Sequence, residues 1–262
     1  MIRLVVANQR GGVGKTTTAV NLSWYLSERG YRTLLIDTDS QGSITLMLGL
    51  RPLHYFAQFL LGKCLFDESV VHVRQSFDVM CGSKHALEAE SALAQIADCE
   101  SALTARLEPF ESRYEAVILD ASPSLSLVQT CALLYARNVL IPVNMDFLSL
   151  SGANAAYETI QFLNSLFNAQ IRSLGLLPCQ VNQRLSITRM IDQGLHTMSQ
   201  TLGVPLLPGI RTDQTVHRAF RARKAVLEYD PEARSAQDYV SAFDKVLAVL
   251  KELGNGKIET TL

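Results

Sequence analysis

Residues Gln9-Arg10-Gly11-Gly12-Val13-Gly14-Lys15-Thr16-Thr17 carry the clearest chemistry in the chain. Glycines at 11, 12 and 14 can turn successive backbone N–H groups inward around an anion, and a helix beginning there adds partial positive charge. Lys15 then reaches β- and γ-phosphates and the Thr16 hydroxyl reaches Mg²⁺. The standard spacing Gly-x-x-x-x-Gly-Lys-[Ser/Thr] asks for glycine where Gln9 stands, while Gly14-Lys15-Thr16 keeps its end intact. An apolar strand over 3–7 precedes the loop and a helix follows it, the context a phosphate-binding loop requires and a bare glycine turn does not.

Three carboxylates accompany the loop. Asp37 and Asp39 follow a second apolar strand over 33–36, which places them at the carboxyl edge where open α/β sheets bind ligands. Asp120 ends the run Val117-Ile118-Leu119, the pattern of a Walker-B aspartate that orients Mg²⁺ through water. Solvated loop acids are the competing reading for each, and the nearby phosphate loop outweighs it.

The segments Arg10-Gly11-Gly12-Val13-Gly14-Lys15-Thr16, Asp37-Thr38-Asp39-Ser40-Gln41-Gly42, Asp120-Ala121-Ser122-Pro123-Ser124 and Glu228-Tyr229-Asp230-Pro231 together resemble the ParA/MinD family of deviant Walker-A ATPases, in its short chromosomal-type branch. The chain departs from that pattern in Arg10, which replaces the signature lysine, in Ser40, which replaces a proline, and in keeping only the second proline after Asp120. The resemblance implies ATP and Mg²⁺ as cofactors and a nucleotide-sandwich homodimer in which Arg10 reaches the partner's phosphates. Arginine suits that task, being always charged and forked. It also implies that Asp39 positions or activates the attacking water, that Asp37 lies nearer the metal, and that Asn182 and Pro208 approach adenine. Strand-end turns are an equally good reading of the last two. No Asn-Lys-x-Asp guanine-reading motif exists, which favours ATP over GTP.

Residues 184–224 hold seven basic residues, Arg184, Arg189, Arg211, Arg218, Arg221, Arg223 and Lys224, against the acids Asp192 and Asp213, in a chain of net charge −1. This asymmetry fits non-specific contact with DNA phosphates, and a solvated helix face stands beside it as the plain alternative. The resemblance adds weight to double-stranded DNA, to a ParB-like partner that stimulates hydrolysis, and to partition of DNA or another cargo on the nucleoid. Its rivals are a MinD-like membrane-associated division regulator and a metabolic or metal-cluster ATPase.

These residues need a scaffold. The length of 262 residues and 48% hydrophobic content allow one large α/β core. The pattern predicts a single-domain P-loop NTPase with a mostly parallel central sheet and helices on both faces. Strands are expected over 2–7, 33–36, 77–81, 114–120, 138–143 and 173–181, and helices over 16–29, 56–61, 86–107 and 150–167. An apolar stripe runs through Tyr239, Phe243, Val246 and Leu250. No run reaches the ~20 residues of a membrane span and no leader is evident, so a cytoplasmic protein is expected. Residues 254–262 are expected to be a short polar tail without a basic membrane-binding helix. Five scattered cysteines with no C-x-x-C pair predict reduced thiols, with an iron–sulfur bridge through Cys99 and Cys131 the weaker alternative.

Overall fold

In the computed structural model, which describes residues 1–255, uniformly apolar runs become the buried strands of a seven-stranded sheet. In chain order the first elements are β1 (Ile2–Val6), α1 (Lys15–Glu28), β2 (Thr33–Asp37), α2 (Ser43–Leu48), α3 (Phe56–Leu60), α4 (Phe66–Ser69), β3 (Val70–Arg74) and β4 (Phe77–Met80). There follow α5 (Ala86–Leu93), α6 (Ala102–Leu107), β5 (Ala116–Asp120), α7 (Leu127–Ala136), β6 (Asn138–Asn144) and α8 (Phe147–Phe167). The last are β7 (Arg172–Cys179), α9 (Ser186–Leu202), α10 (Gln214–Arg221), α11 (Val226–Tyr229) and α12 (Arg234–Asn255). The expected tail at 256–262 lies outside the described residues, and residues 254 and 255 complete α12.

The sheet order is β3-β4-β2-β5-β1-β6-β7, parallel throughout except for the antiparallel β3–β4 edge pair. Because side chains alternate across a strand, Leu4 and Val6 of β1 enter one core layer, with Tyr25 of α1 and Phe243 of α12. Val5 and Ala7 enter the other, with Val128 and Cys131 of α7 and Ile160 of α8. Helices therefore cover both faces, as the apolar strands require.

Strand β1 lies between β5 and β6; the chain leaves β1 past β5 toward β2, and leaves β5 past β1 toward β6, so the two crossovers run in opposite directions there. Crevices at such switch points, outside the carboxyl ends of the strands, are where open α/β sheets bind ligands. The phosphate-type loop, Asp39 and Asp120 all follow or end strands β1, β2 and β5 at that edge.

Three expectations change. The helix expected over 86–107 is two helices separated by a short 3-10 turn at Cys99–Ser101, entered through a left-handed Asp98 (φ 56°). Strand β7 ends at Cys179, two residues before the expected 181. Helix α9, which the charge reading of 184–224 passed over, buries Thr188, Ile191 and Leu195 on one face and turns its basic residues outward. All five cysteines are free thiols, and the Cys131 Sγ–H donates to the Cys99 carbonyl at 3.1 Å.

Candidate nucleotide site

The loop between β1 and α1 is shaped by positive φ angles at Gly12 (76°) and Gly14 (94°), where a β-carbon would be strained. Its first half is clamped by α8. Asn8 Nδ2 donates to the Pro142 carbonyl at 2.7 Å, and Asn8 Oδ1 accepts from the Arg10 backbone N–H at 2.8 Å. Gln9 Nε2 donates to Thr159 Oγ1 at 2.7 Å. This gives the residue that breaks the standard loop spacing a structural role. Helix α8 approaches so closely that a β-carbon on Gly152 would fall 2.5 Å from Asn8 Oδ1 and 2.9 Å from Arg10 Cβ.

Around this loop lies a cavity of about 640 Å³. Gly11, Gly12, Gly14, Lys15, Thr16 and Thr17 form its floor, and Asp39 lines its side. Val13 is fully buried, so only its backbone can serve a ligand. The Lys15 ammonium donates to the Arg10 carbonyl at 2.8 Å. Burial lowers the Lys15 pKa, and the carboxylates of Asp120 and Asp39 oppose that shift. Asp39 Oδ1 accepts the Gln41 backbone N–H at 3.0 Å; its Oδ2 makes no hydrogen bond among the described residues.

Asp120 is 1% exposed, and among the described residues neither carboxylate oxygen has a hydrogen-bond partner of good geometry, the Thr16 hydroxyl being its polar neighbour. Burial raises its pKa well above the usual carboxylate range, with the Asp37 carboxylate adding to the effect. The neighbouring Thr16 hydroxyl and the Lys15 ammonium pull it back. A buried carboxylate without well-aligned hydrogen bonds is the chemistry that a divalent cation, directly or through water, would satisfy. Together with the Thr16 hydroxyl and the inward backbone N–H groups of the loop, it fits a Mg²⁺-bearing phosphate ligand.

Asp37, the acid that the resemblance implies nearer the metal, serves the backbone in this structure. It is fully buried, and its oxygens accept the backbone N–H groups of Asp39 (3.0 Å) and Ile44 (3.2 Å). Its carboxylate is therefore spent on holding the Asp39 turn and starting α2. Burial pushes its pKa up to about 7, against those hydrogen bonds.

These two acids set a pH dependence. A folded-state pKa above the unfolded one means that the fold binds more protons, so stability present below the unfolded value near 3.8 is lost as pH rises toward about 7. The nucleotide-free protein is expected to melt at a higher temperature near pH 6 than near pH 8. Asp120→Asn should reduce that difference and raise the melting temperature at about pH 8, while weakening Mg²⁺-dependent nucleotide binding. Thermal melts of both proteins at the two pH values check this.

Neither Asn182 nor Pro208 lines the cavity, whereas Gln180, Ile210 and Thr212 do. The early end of β7 explains the shift, since the first residue past the strand is Gln180 (φ 55°), not Asn182. The Asn182 side chain instead accepts the Arg184 backbone N–H at 3.2 Å in a turn of its own. Sequence reasoning also missed Val216, His217 and Phe220 of α10, which line the cavity's outer wall. Their i, i+1, i+4 spacing between basic residues was the available signal.

Among the basic residues, Arg211 is not a free cation. Its guanidinium grips Asp238 of α12 through Nε and Nη2, at distances down to 2.7 Å. Lys224 Nζ pairs with Glu228 at 3.2 Å. Arg184, Arg189, Arg218, Arg221 and Arg223 are exposed and make no ion pair among the described residues.

A family profile described as an AAA domain matches residues 1–173. The chain is 30% identical over 252 residues to the chromosome-partitioning ATPase Soj of Thermus thermophilus, covering 95% of this chain and 97% of that protein. The chain belongs to the ParA/MinD family of ATPases. Among solved structures, this ParA/MinD chain is similar to cobyrinic acid a,c-diamide synthase from Mycobacterium smegmatis with bound ADP and magnesium. That match has 27% identity and a TM-score of 0.80, covering 98% of this chain and 97% of that one. The fold is also that of McdA from Cyanothece in a complex with ATP, at TM-score 0.84 and 22% identity, covering 96% of each chain.

Proposed function

We propose that this ATPase is an ATP-dependent dimeric switch that binds double-stranded DNA without sequence preference in its ATP state. In this reading it partitions DNA or another intracellular cargo and is reset by hydrolysis that a ParB-like partner stimulates. The observation that carries the reading is helix α10. Its Val216, His217 and Phe220 line the nucleotide cavity, while Arg218 and Arg221 on the same eight residues are exposed and make no ion pair among the described residues. One short helix thus joins the nucleotide wall to a polyanion-binding surface, so a change at one is felt at the other. The relation to the chromosome-partitioning ATPase Soj agrees with this.

In the proposed cycle the loop N–H groups and the Lys15 ammonium bind the phosphates, and Thr16 and Asp120 hold the cation. Mg²⁺ supplies positive charge that neutralises the phosphates. Asp39 Oδ2, free of protein partners among the described residues, orients the attacking water and accepts its proton. Arg10 is exposed, its side chain makes no hydrogen bond or ion pair among the described residues, and it flanks the phosphate loop. An exposed guanidinium without partners among the described residues supports a role in reaching a second copy's nucleotide. The five unpaired arginines supply phosphate contacts whose number doubles in a dimer.

Arg10→Ala is expected to keep monomeric ATP binding within about twofold while abolishing the ATP-dependent dimer. Light scattering coupled to gel filtration, with and without ATP and Mg²⁺, reads both states, and a variant that dimerises like the parent would remove Arg10 from the interface. Among the described residues no helix is long and apolar enough to cross a membrane. A metabolic ligase role would instead show as nucleotide turnover with no DNA binding in any state.

A further inference from the structure

We propose that a second anion site lies at the opposite edge of the sheet, where Arg3, Arg137 and Arg172 converge on one cavity that would take a small phosphate-type oxyanion such as pyrophosphate. The cavity has a volume of about 330 Å³ and is also lined by Tyr135, Asn138 and Gln170. Its construction follows from the sheet. Strands β1, β6 and β7 are neighbours, Val5 is in register with Val139, and Asn138 is in register with Arg172. Arg3, Arg137 and Arg172 therefore stand at the amino ends of three adjacent strands, about 4.8 Å apart from strand to strand.

The backbone at each arginine is pinned. Asn138 Nδ2 donates to the Arg3 carbonyl at 2.9 Å, and the Arg172 N–H donates to the Arg137 carbonyl at 2.8 Å. Arg3 is held further, by Glu111 at 2.7 Å and by the face of the Tyr135 ring at 5.0 Å. Arg137 and Arg172 make no ion pair among the described residues, so three guanidinium groups meet one carboxylate. Tyr135 is 1% exposed, and its hydroxyl faces the Glu111 carboxylate.

Arg137 is exposed and occupies the left-handed position that ends α7 (φ 57°), a place where glycine or asparagine is the cheaper choice. Part of its charge answers the carbonyl end of that helix. The excess positive charge that remains matches a doubly charged oxyanion, and arginine forks match phosphate oxygens.

Isothermal titration of inorganic pyrophosphate tests the site. The protein is used saturated with ADP and, separately, as Lys15→Ala, so that the loop between β1 and α1 does not contribute. Saturable binding is expected in both, weakened at least about tenfold in R137Q/R172Q and in R172Q alone. The melting temperature and ATP turnover of these arginine variants are expected to match the parent. The proposal is overturned by absence of saturable binding, by an equal response to sodium chloride at matched ionic strength, or by arginine variants that bind as the parent does.

Discussion

Lys15→Ala is expected to lower ATP turnover by roughly 10²–10³-fold and to erase every ATP-dependent change in oligomeric state. The size of the effect follows from where Lys15 sits. It is 7% exposed at the first position of α1, its ammonium aimed over the loop at the Arg10 carbonyl. Burial disfavours its charge, and the two acids on either side restore it. A phosphate brought into the glycine cradle would meet this cation in a largely dehydrated setting, where its attraction is strongest. Truncation should lower nucleotide affinity along with turnover, because it removes the ammonium that meets the phosphates. Nucleotide titration with a fluorescent analogue, beside a phosphate-release assay, checks both losses; turnover within tenfold of the parent would place the chemistry elsewhere.

Asp39→Ala should separate binding from chemistry. Turnover is expected to fall by about 10²–10⁴-fold, the range for removal of a general base, with ATP affinity changed little. The geometry supports that division. Asp39 lines the cavity but gives only Oδ1 to its own turn, while Asp37, buried behind it, carries the load of holding that turn in place. Loss of the Asp39 carboxylate therefore removes the proton acceptor and leaves the turn standing. The variant should accumulate as the ATP-bound dimer. Asp37→Ala should behave differently, lowering the melting temperature and turnover together, because it takes away the acceptor for two buried backbone N–H groups. Comparing the two variants by melting temperature and by turnover distinguishes a reacting group from a positioning one.

Much of this arrangement was legible in the residues themselves. Gly11 to Thr17, Asp39 and Asp120 announce themselves because phosphate chemistry demands fixed types at fixed offsets from strand ends; in the structure the loop glycines, Lys15 to Thr17 and Asp39 line one cavity, and Asp120 is buried beside Lys15 and Thr16. The parallel sheet was legible because strands buried on both faces leave continuous apolar runs. The end of β7 was not, for a local reason. Val181 continues the apolar character of β7 past its end and pairs instead with Arg211 through an isolated bridge. The apparent strand therefore runs two residues too far, and Asn182 was read at a strand end where Gln180 stands. The roles of Asp37 and Arg211 were hidden because a carboxylate that accepts backbone N–H groups and a guanidinium paired with Asp238, 27 residues away, look in sequence like any other acid and base. Charge counting found the basic segment but could not tell paired from unpaired arginines.

Binding of the protein to random-sequence duplex DNA with ATP, with ADP and without nucleotide, at low and moderate salt and with oligomeric state followed in parallel, tests the proposed switch most directly. Salt-sensitive binding is expected that requires ATP and the dimer and is lost in R218E/R221E, a variant of two arginines that are exposed and make no ion pair among the described residues. Equal affinity in all three nucleotide states, or no binding in any of them, would contradict it.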